Sequence, residues 1–299
     1  MDKQPLMHWE ELPAATRDQW AQLMTELTLP PLSLGLGITT EKLAKLAPAE
    51  IAALISDDPV LASKLLAVVN SAAMGLAKPV TSLERAVVHL GINLVRIIVV
   101  GYHLETIIGR WPRYPRDHFD YIRRWSSAAS IIAYHIGSKA KLESTETLGT
   151  AALLARLGSF MLGLNWPPGK DYQQVPDEAA RLTYERERWS VITPLLSGRL
   201  AQNWSLPEPL PTLLTQQCEP LFVDYSDKAG QIDTLVVCLA IVLGAAYLVE
   251  SEALYEDILA KPPYQILSAS IAAHQLHKPC EAAWINKAVK HELAALTSE

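Results

Sequence analysis

The sequence predicts an all-α fold, a bundle of many helices, on three observations. Apolar residues recur at helical spacing through most of the 299 residues. No strand-turn-strand pattern with a two-residue period recurs. Hydrophobic residues make up 49% of the chain and charged residues 19%, which is ample for a sizeable core and excludes a disordered chain.

Taken in order, residues 12–27 form an amphipathic helix, followed by the Pro- and Gly-rich connection PPLSLGLG. A helix over 40–46 and another opening at Pro48 come next. Asp58 is an N-cap whose side-chain oxygen can satisfy an orphan amide, and Pro59 suits the first helical position because it has no amide to satisfy. Leu61, Leu65, Val68 and Val69 then follow i, i+4, i+7, i+8 and share a buried face. Asn70-Ser71 turns the chain. The next helix opens at Ser82, carries Leu83, Val87 and Leu90 on one stripe, and stops at Gly91, where a left-handed residue costs little. Further helices are expected over 119–139, 147–164, 179–189, 193–204, 210–218, 232–250, 255–259, 264–277 and 280–296, with a polar, Pro-rich loop, NWPPGKDYQQVPDE, before the third of these. The expected organisation is an N-terminal helical extension over residues 1–30, a main helical domain over 31–228, and C-terminal helices over 229–299 packed on the same core.

A net charge of −6 argues against a dedicated nucleic-acid binder, whose affinity rests on Lys and Arg neutralising phosphates. Cys218, Cys238 and Cys280 form no CxxC pair and cannot all pair with one another, so a disulfide scaffold is not expected and a reducing cytoplasm fits best. The first residues, MDKQPLMHWEEL, lack the basic and apolar regions of a secretory signal. The longest strongly apolar run, 235–249, is shorter than the roughly 18 to 20 residues of a membrane span and reads as a core helix. No membrane span is expected.

The stretch 55–91, ISDDPVLASKLLAVVNSAAMGLAKPVTSLERAVVHLG, combines Asp58, Pro59, Leu61, Leu65, Leu66, Asn70, Ser71, Ala86, Leu90 and Gly91 in one D-P-x-L…L-L…N-S…A-x-x-x-L-G run. In this it resembles the HDOD family, the HD-related output domains of the HD-domain superfamily, and the run from Asn93 to Val100 looks like that family's next helix. The resemblance extends over about residues 25–250. It implies an HD-like helical bundle and a regulatory module, although HD relatives elsewhere are metal phosphohydrolases. No receiver, cyclase or phosphodiesterase sequence is recognisable beside it, so input and output are expected to come by contact with other molecules.

An HD hydrolase holds its cations with imidazole and carboxylate ligands from several helices, and these activate water against phosphorus. The resemblance places those positions residue by residue. In FDYIRRWSSAASIIA the His position falls at Trp125. AALLARLGSFML resembles the L-L-H-D-I-G step, with Ala155 and Arg156 standing for His and Asp. WSVITPLLSGRLAQNWSLPEPL resembles the helix ending in a W-x-L-P turn, retaining Trp204, Leu206 and Pro207, with Thr193 at the His position. LLTQQCEP resembles the segment of adjacent His residues, where Gln216 and Gln217 stand. None of these is a competent cation ligand, and Arg156 brings a fixed positive charge. The expectation is a degenerate site with no catalytic residue, no metal and no cofactor.

Other constellations are weaker. Arg110, Arg113, Arg116, Arg123 and Arg124 alternate with Trp111, Tyr114, Phe119, Tyr121 and Trp125, a pattern that can stack and pair with anions; the plainer reading is a connection whose aromatics anchor it to the core. His274, His277 and Cys280 form HxxHxxC, but structural zinc normally needs four ligands, and Pro279 should end the helix after His277 and Lys278. His89 and His103 read as core or interface histidines and His135 occurs singly. Glu185, Glu187, Asp224 and Asp227 read as solvated carboxylates rather than acid-base pairs. No G-x-S-x-G elbow occurs and PPGKD lacks a phosphate loop's spacing. The function expected is signal transduction or regulation by binding a protein partner, or a nucleotide or other small anion at Arg156 or the neighbouring arginines. A divergent metal-dependent phosphohydrolase is the competing expectation.

Overall fold

In the computed structural model the described residues are 7–26, 46–56, 58–71, 74–76, 78–109, 111, 114–165, 170–173, 175, 177–204, 206–228, 231–249 and 255–284. Every regular element among them is helical: α1 (Ala14–Glu26), α2 (Pro48–Ser56), α3 (Pro59–Val69), α4 (Leu83–Gly109), α5 (Arg116–Ala140), α6 (Thr145–Leu154), α7 (Leu157–Asn165), α8 (Lys170–Gln173), α9 (Glu178–Trp189), α10 (Thr193–Asn203), α11 (Leu210–Gln216), α12 (Ile232–Val249), α13 (Tyr255–Leu259), α14 (Gln265–Ala273) and α15 (His277–Trp284), with short 3₁₀ turns between some of them. The helix expected over 40–46 lies outside the described residues.

The N-terminal signature folds as its chemistry dictates. Asp58 accepts hydrogen bonds from the amides of Val60 and Leu61, Pro59 opens α3, and Leu61, Leu65, Val68 and Val69 are all buried. The Asn70 side chain then clamps the return of the chain. Its Nδ2 donates to the carbonyl of Val80 at 2.8 Å while its Oδ1 accepts from the Val80 amide at 2.7 Å. Gly91, at φ 71 and ψ 163, breaks the ladder of α4 without ending the element, so two helices meet at a kink.

The core is built on α12, whose residues 235–243 are buried on every side, as a helix apolar all round requires. It packs along α5, and Gly244 lets the two approach: a Cβ there would lie 3.2 Å from that of Ala129. Gly137 of α5 plays the same part against Thr145 and Leu148 of α6. Two segments, Leu83–Ile107 and Thr145–Leu164, are long and apolar enough to cross a membrane, so the 235–249 run is not the strongest candidate. The first is kinked at Gly91, the second is interrupted, and most of each is buried in the protein.

Several expected elements differ. The single helix over 147–164 is two, α6 and α7, separated by a turn at Ala155-Arg156. The cause is tertiary: the Ala155 carbonyl accepts from Ser197 Oγ at 2.8 Å and Gln217 Nε2 at 3.1 Å. The polar loop before α9 includes the one-turn α8, and its Tyr172 is fully buried. The helix over 264–277 ends at Ala273, where Gln275 takes a left-handed conformation (φ 57), and His277, Lys278 and Pro279 begin α15 instead of closing its predecessor. Proline is tolerated in that first turn because the amide there has no intrahelical partner.

Candidate functional site

The sequence of α9 explains how a charged cluster comes to be buried. Leu182 and Trp189 lie seven residues apart on the face turned to the core, and Glu178, Arg181 and Glu185 fall on the same face at i, i+3 and i+7. All three are buried, with Glu185 at 0% exposure. Buried charge is tolerated only where it is paired and hydrogen-bonded, and the surrounding elements supply the partners. At the α6–α7 turn Arg156 extends its guanidinium to Glu178, with Nη2 at 2.7 Å from Oε1. Arg181 Nε lies 3.4 Å from the other Glu178 oxygen, an ion pair without hydrogen-bond alignment. Cys218 Sγ reaches Glu178 Oε1 at 3.6 Å.

Trp125 of α5 lies beneath both guanidiniums. The Cζ of Arg156 is 4.3 Å and that of Arg181 4.7 Å from its ring centroid, two cation–π contacts in a desolvated setting. The indole is fixed by donation from Nε1 to the Ile241 carbonyl of α12 at 2.9 Å. Arg181 also donates to the Tyr172 carbonyl at 2.8 Å. Burial works against the Arg156 charge, but the Glu178 carboxylate, together with Cys218, Tyr172 and Glu185, offsets it and raises the guanidinium above its ordinary value.

A hydroxyl network adjoins this pair. Glu185 accepts from Tyr172 Oη at 2.5 Å, from Thr193 Oγ1 at 2.6 Å and from the Thr193 amide at 2.6 Å. Because the Thr193 proton is directed to Glu185, Ser159 Oγ donates to Thr193 Oγ1 at 2.9 Å. Burial raises the Glu185 pKa, opposed by these hydrogen bonds. His118 closes the network. Its Nε2 lies 3.1 Å from the Ser159 carbonyl, which can only accept, so the neutral ring carries its proton on Nε2. Burial pushes the His118 pKa down to about 4, with Arg181 adding to the effect and the Ser159 bond resisting it.

The profile of the HDOD domain family matches residues 40–220, well over half of the chain. The chain belongs to the HDOD domain family. Solved structures agree on the fold. An HDOD domain protein from Geobacter sulfurreducens superposes with a TM-score of 0.61 at 17% identity, over 93% of this chain and 97% of that one. A protein provisionally named a phosphohydrolase, from Shewanella amazonensis SB2B, gives 0.58 at 18% identity over 93% and 97%. One provisionally named a signal transduction protein, from Marinobacter aquaeolei VT8, gives 0.56 at 19% identity over 94% of this chain and 67% of that one. No curated protein matches the sequence.

Within this HDOD fold most of the residues singled out from the sequence meet. Trp125 and Arg156 stack, Ala155 receives Gln217, and Thr193 binds Glu185; Gln216 is half-buried at the end of α11 and stands outside this network. The signature residues Asp58, Pro59, Leu65, Asn70, Ser71, Leu90 and Gly91 lie in α2–α4 territory and shape the scaffold. Arg116 and Arg124 are exposed on α5, Arg123 is half-buried with Asp120 at 3.9 Å, and Arg110 and Arg113 lie outside the described residues. Tyr114, Phe119 and Trp125 from the same segment are core residues.

Sequence reasoning missed Glu178, Arg181, Tyr172, Ser159 and His118. It placed Glu185 on a solvated face, whereas that carboxylate is fully buried; Glu187, Asp224 and Asp227 are exposed as expected. The signal available was the spacing of Leu182 and Trp189, which puts the charges on the inner face of α9. His89 is also exposed, on α4, which removes the core alternative and leaves the interface one. His274 bonds the Tyr225 carbonyl and His277 packs edge-on to Tyr255, so the HxxHxxC residues do not converge. Among the described residues no three His, Cys, Asp or Glu side chains are grouped to hold a metal ion.

Proposed function

We propose that this chain is a non-catalytic regulatory HDOD protein that acts by binding, with the HD metal centre replaced by the Arg156–Glu178–Arg181 cluster over Trp125. The observation that carries the reading is the pair itself. Arg156, which the resemblance puts at a metal-ligand position, holds Glu178 at 2.7 Å with both side chains 1% exposed, so the nearest carboxylate is consumed by a permanent cation. Trp125, Ala155, Thr193, Gln216 and Gln217 at the other positions offer no imidazole or carboxylate. The exposed Arg116 and Arg124 on α5, with the half-buried Arg123, are the candidate contact surface for a protein partner, Arg110 and Arg113 being further candidates from the sequence alone, and a nucleotide or other small anion is the second ligand class. The helices after residue 228 belong to the same core, which α12 on α5 supports. The three cysteines are free and buried, which suits a cytoplasmic protein.

The phosphohydrolase name given to a structural neighbour keeps an enzymatic alternative in view, with ligands relocated to positions other than those named above. Elemental analysis of the purified protein, combined with a panel of phosphoesters and nucleotides assayed with and without chelator, separates the two. The binding reading expects no stoichiometric transition metal and no chelator-sensitive turnover. Stoichiometric metal with turnover that collapses on chelation overturns it. Affinity capture from the native cell, repeated with Arg124→Glu, then tests whether α5 carries the partner.

A further inference from the structure

A groove partly open to solvent lies on the other side of the α6–α7 turn, between α3, α4 and α5. Small-molecule sites are typically clefts with mostly apolar walls and a few placed polar groups. This groove has that composition. Val68, Ile98, Leu104, Phe119, Leu157 and Phe160 line it, and the polar side chains are few: the Lys64–Glu105 ion pair (2.8 Å) bridging α3 and α4, Tyr102, two serines of α5, Arg123, and Arg156.

Arg156 is the informative member. One of its nitrogens, Nη2, is committed to Glu178, but Nε and Nη1 are buried and have no hydrogen-bond partner in the protein. A buried donor left unmatched is costly, and more so on a charged group. Trp125 satisfies the face of the guanidinium and not its N–H edges. Of the other charged groups lining the groove, Glu105 is answered by Lys64 and Arg123 has Asp120 at 3.9 Å.

We infer that this groove binds an amphiphilic monocarboxylate, an acyl chain lying along the apolar walls with its carboxylate received by Arg156. The inference deepens the reading of the Arg156 cluster as a binding centre and rests on it. A linear body suits walls that are apolar along their length, and a single anionic head suits one guanidinium with two unmatched donors better than a polyphosphate would.

Gly101 provides a clean obstruction. It lines the groove within the helical second half of α4, and a Cβ built there meets nothing within 4 Å, so Gly101→Phe projects a ring into open space without backbone strain. The test is calorimetric titration of the full chain with straight-chain carboxylates from hexanoate to dodecanoate, each below its micelle-forming concentration, beside decanol and decyltrimethylammonium. One decanoate per chain is expected, with affinity rising about tenfold for every two methylenes added. Decanol and the cation should bind at least about tenfold more weakly, the worth of a charge-assisted hydrogen bond. Gly101→Phe should weaken decanoate at least about tenfold, since the ring displaces much of the chain. The pair Arg156→Gln with Glu178→Gln removes both charges together while keeping hydrogen-bonding side chains, and should bring decanoate down to the level of decanol. Equal binding of decanol and decanoate, affinity independent of chain length, or decanoate binding that survives Gly101→Phe overturns the inference. A carboxylate preference that survives the double Gln variant overturns the assignment to Arg156. Failure here with no metal and no turnover leaves the non-catalytic reading standing, whereas chelator-sensitive hydrolysis removes that reading whatever the titration gives.

Discussion

The Arg156 guanidinium lies 4.3 Å from the centroid of the Trp125 ring, with Glu178 held at its edge, so one fully buried cation is matched by an aromatic face and a carboxylate at once. Removing one member of such a pair leaves an uncompensated charge in a low-dielectric setting. Arg156→Met is expected to cost about 3 kcal/mol, the lower end for breaking a buried pair, because Arg181 remains near Glu178. Arg156→Met combined with Glu178→Met should cost less than Glu178→Met alone, which leaves both Arg156 and Arg181 buried without that carboxylate. Urea denaturation of the three variants checks this, and a double variant less stable than Glu178→Met would contradict it.

The signature Asn70-Ser71 step divides unequally. Asn70 makes three hydrogen bonds to backbone, two of them bracketing Val80, whereas Ser71 Oγ is buried with no partner. Asn70→Ala therefore strands both the amide and the carbonyl of Val80 and should lower stability by about 2 kcal/mol. Asn70→Asp keeps the acceptor only and should fall between. Ser71→Ala should stay within about 0.5 kcal/mol of the parent. Equal losses at the two positions, read from unfolding midpoints, would refute this division.

What the sequence made legible was whatever is decided within one helix. The Asp58 cap and the buried stripe of α3 depend on neighbours a few residues away, and the structure has them where they were expected; Gly91 interrupts the helix at the expected place, but as a kink within α4 and not as its end. The break at Ala155-Arg156 depends on Ser197 and Gln217, 42 and 62 residues away in the chain, and no local pattern shows it. Glu178, Arg181 and Glu185 escaped for a different reason. Charge on a helix ordinarily marks its solvated face, and here, on the inner one, Glu178 is answered by two guanidiniums and Glu185 by two hydroxyls and an amide. The family resemblance supplied Trp125, Arg156 and Thr193 as positions but carried no information about α9, which the Arg156 pair requires.

Gly91 and Gly101 sit in the same element and should respond in opposite directions. At both a Cβ meets nothing within 4 Å, so only the backbone differs. Gly91 has φ 71 and ψ 163, a region almost confined to glycine, and Gly91→Ala should cost about 2 kcal/mol. Gly101 lies in regular helix, so Gly101→Ala should gain up to about 1 kcal/mol through helix propensity. Thermal or urea midpoints for the two variants test the kink directly, and a Gly91→Ala protein as stable as the parent would show that the kink is not required.

His118 should make the fold sensitive to acid. Its pKa falls from 6.5 when unfolded to about 4 in the protein, because burial disfavours the imidazolium more than the Ser159 bond helps it. Between those values the unfolded chain binds the proton and the folded one does not, so stability rises with pH across that interval. The contribution is complete above pH 6.5 and is lost as pH falls toward 4, amounting to about 3 kcal/mol at most by the 1.36 kcal/mol per unit conversion. Glu185, whose pKa burial raises, works in the opposite direction and is present in parent and variant alike, so it cancels in a comparison. His118→Gln keeps a donor for the Ser159 carbonyl and has nothing to titrate. The parent should therefore lose stability relative to this variant as pH drops from 6.5 to 4, while the two run parallel above 6.5. A difference in urea midpoints that stays constant from pH 4 to 7 would show that His118 is not the group responsible.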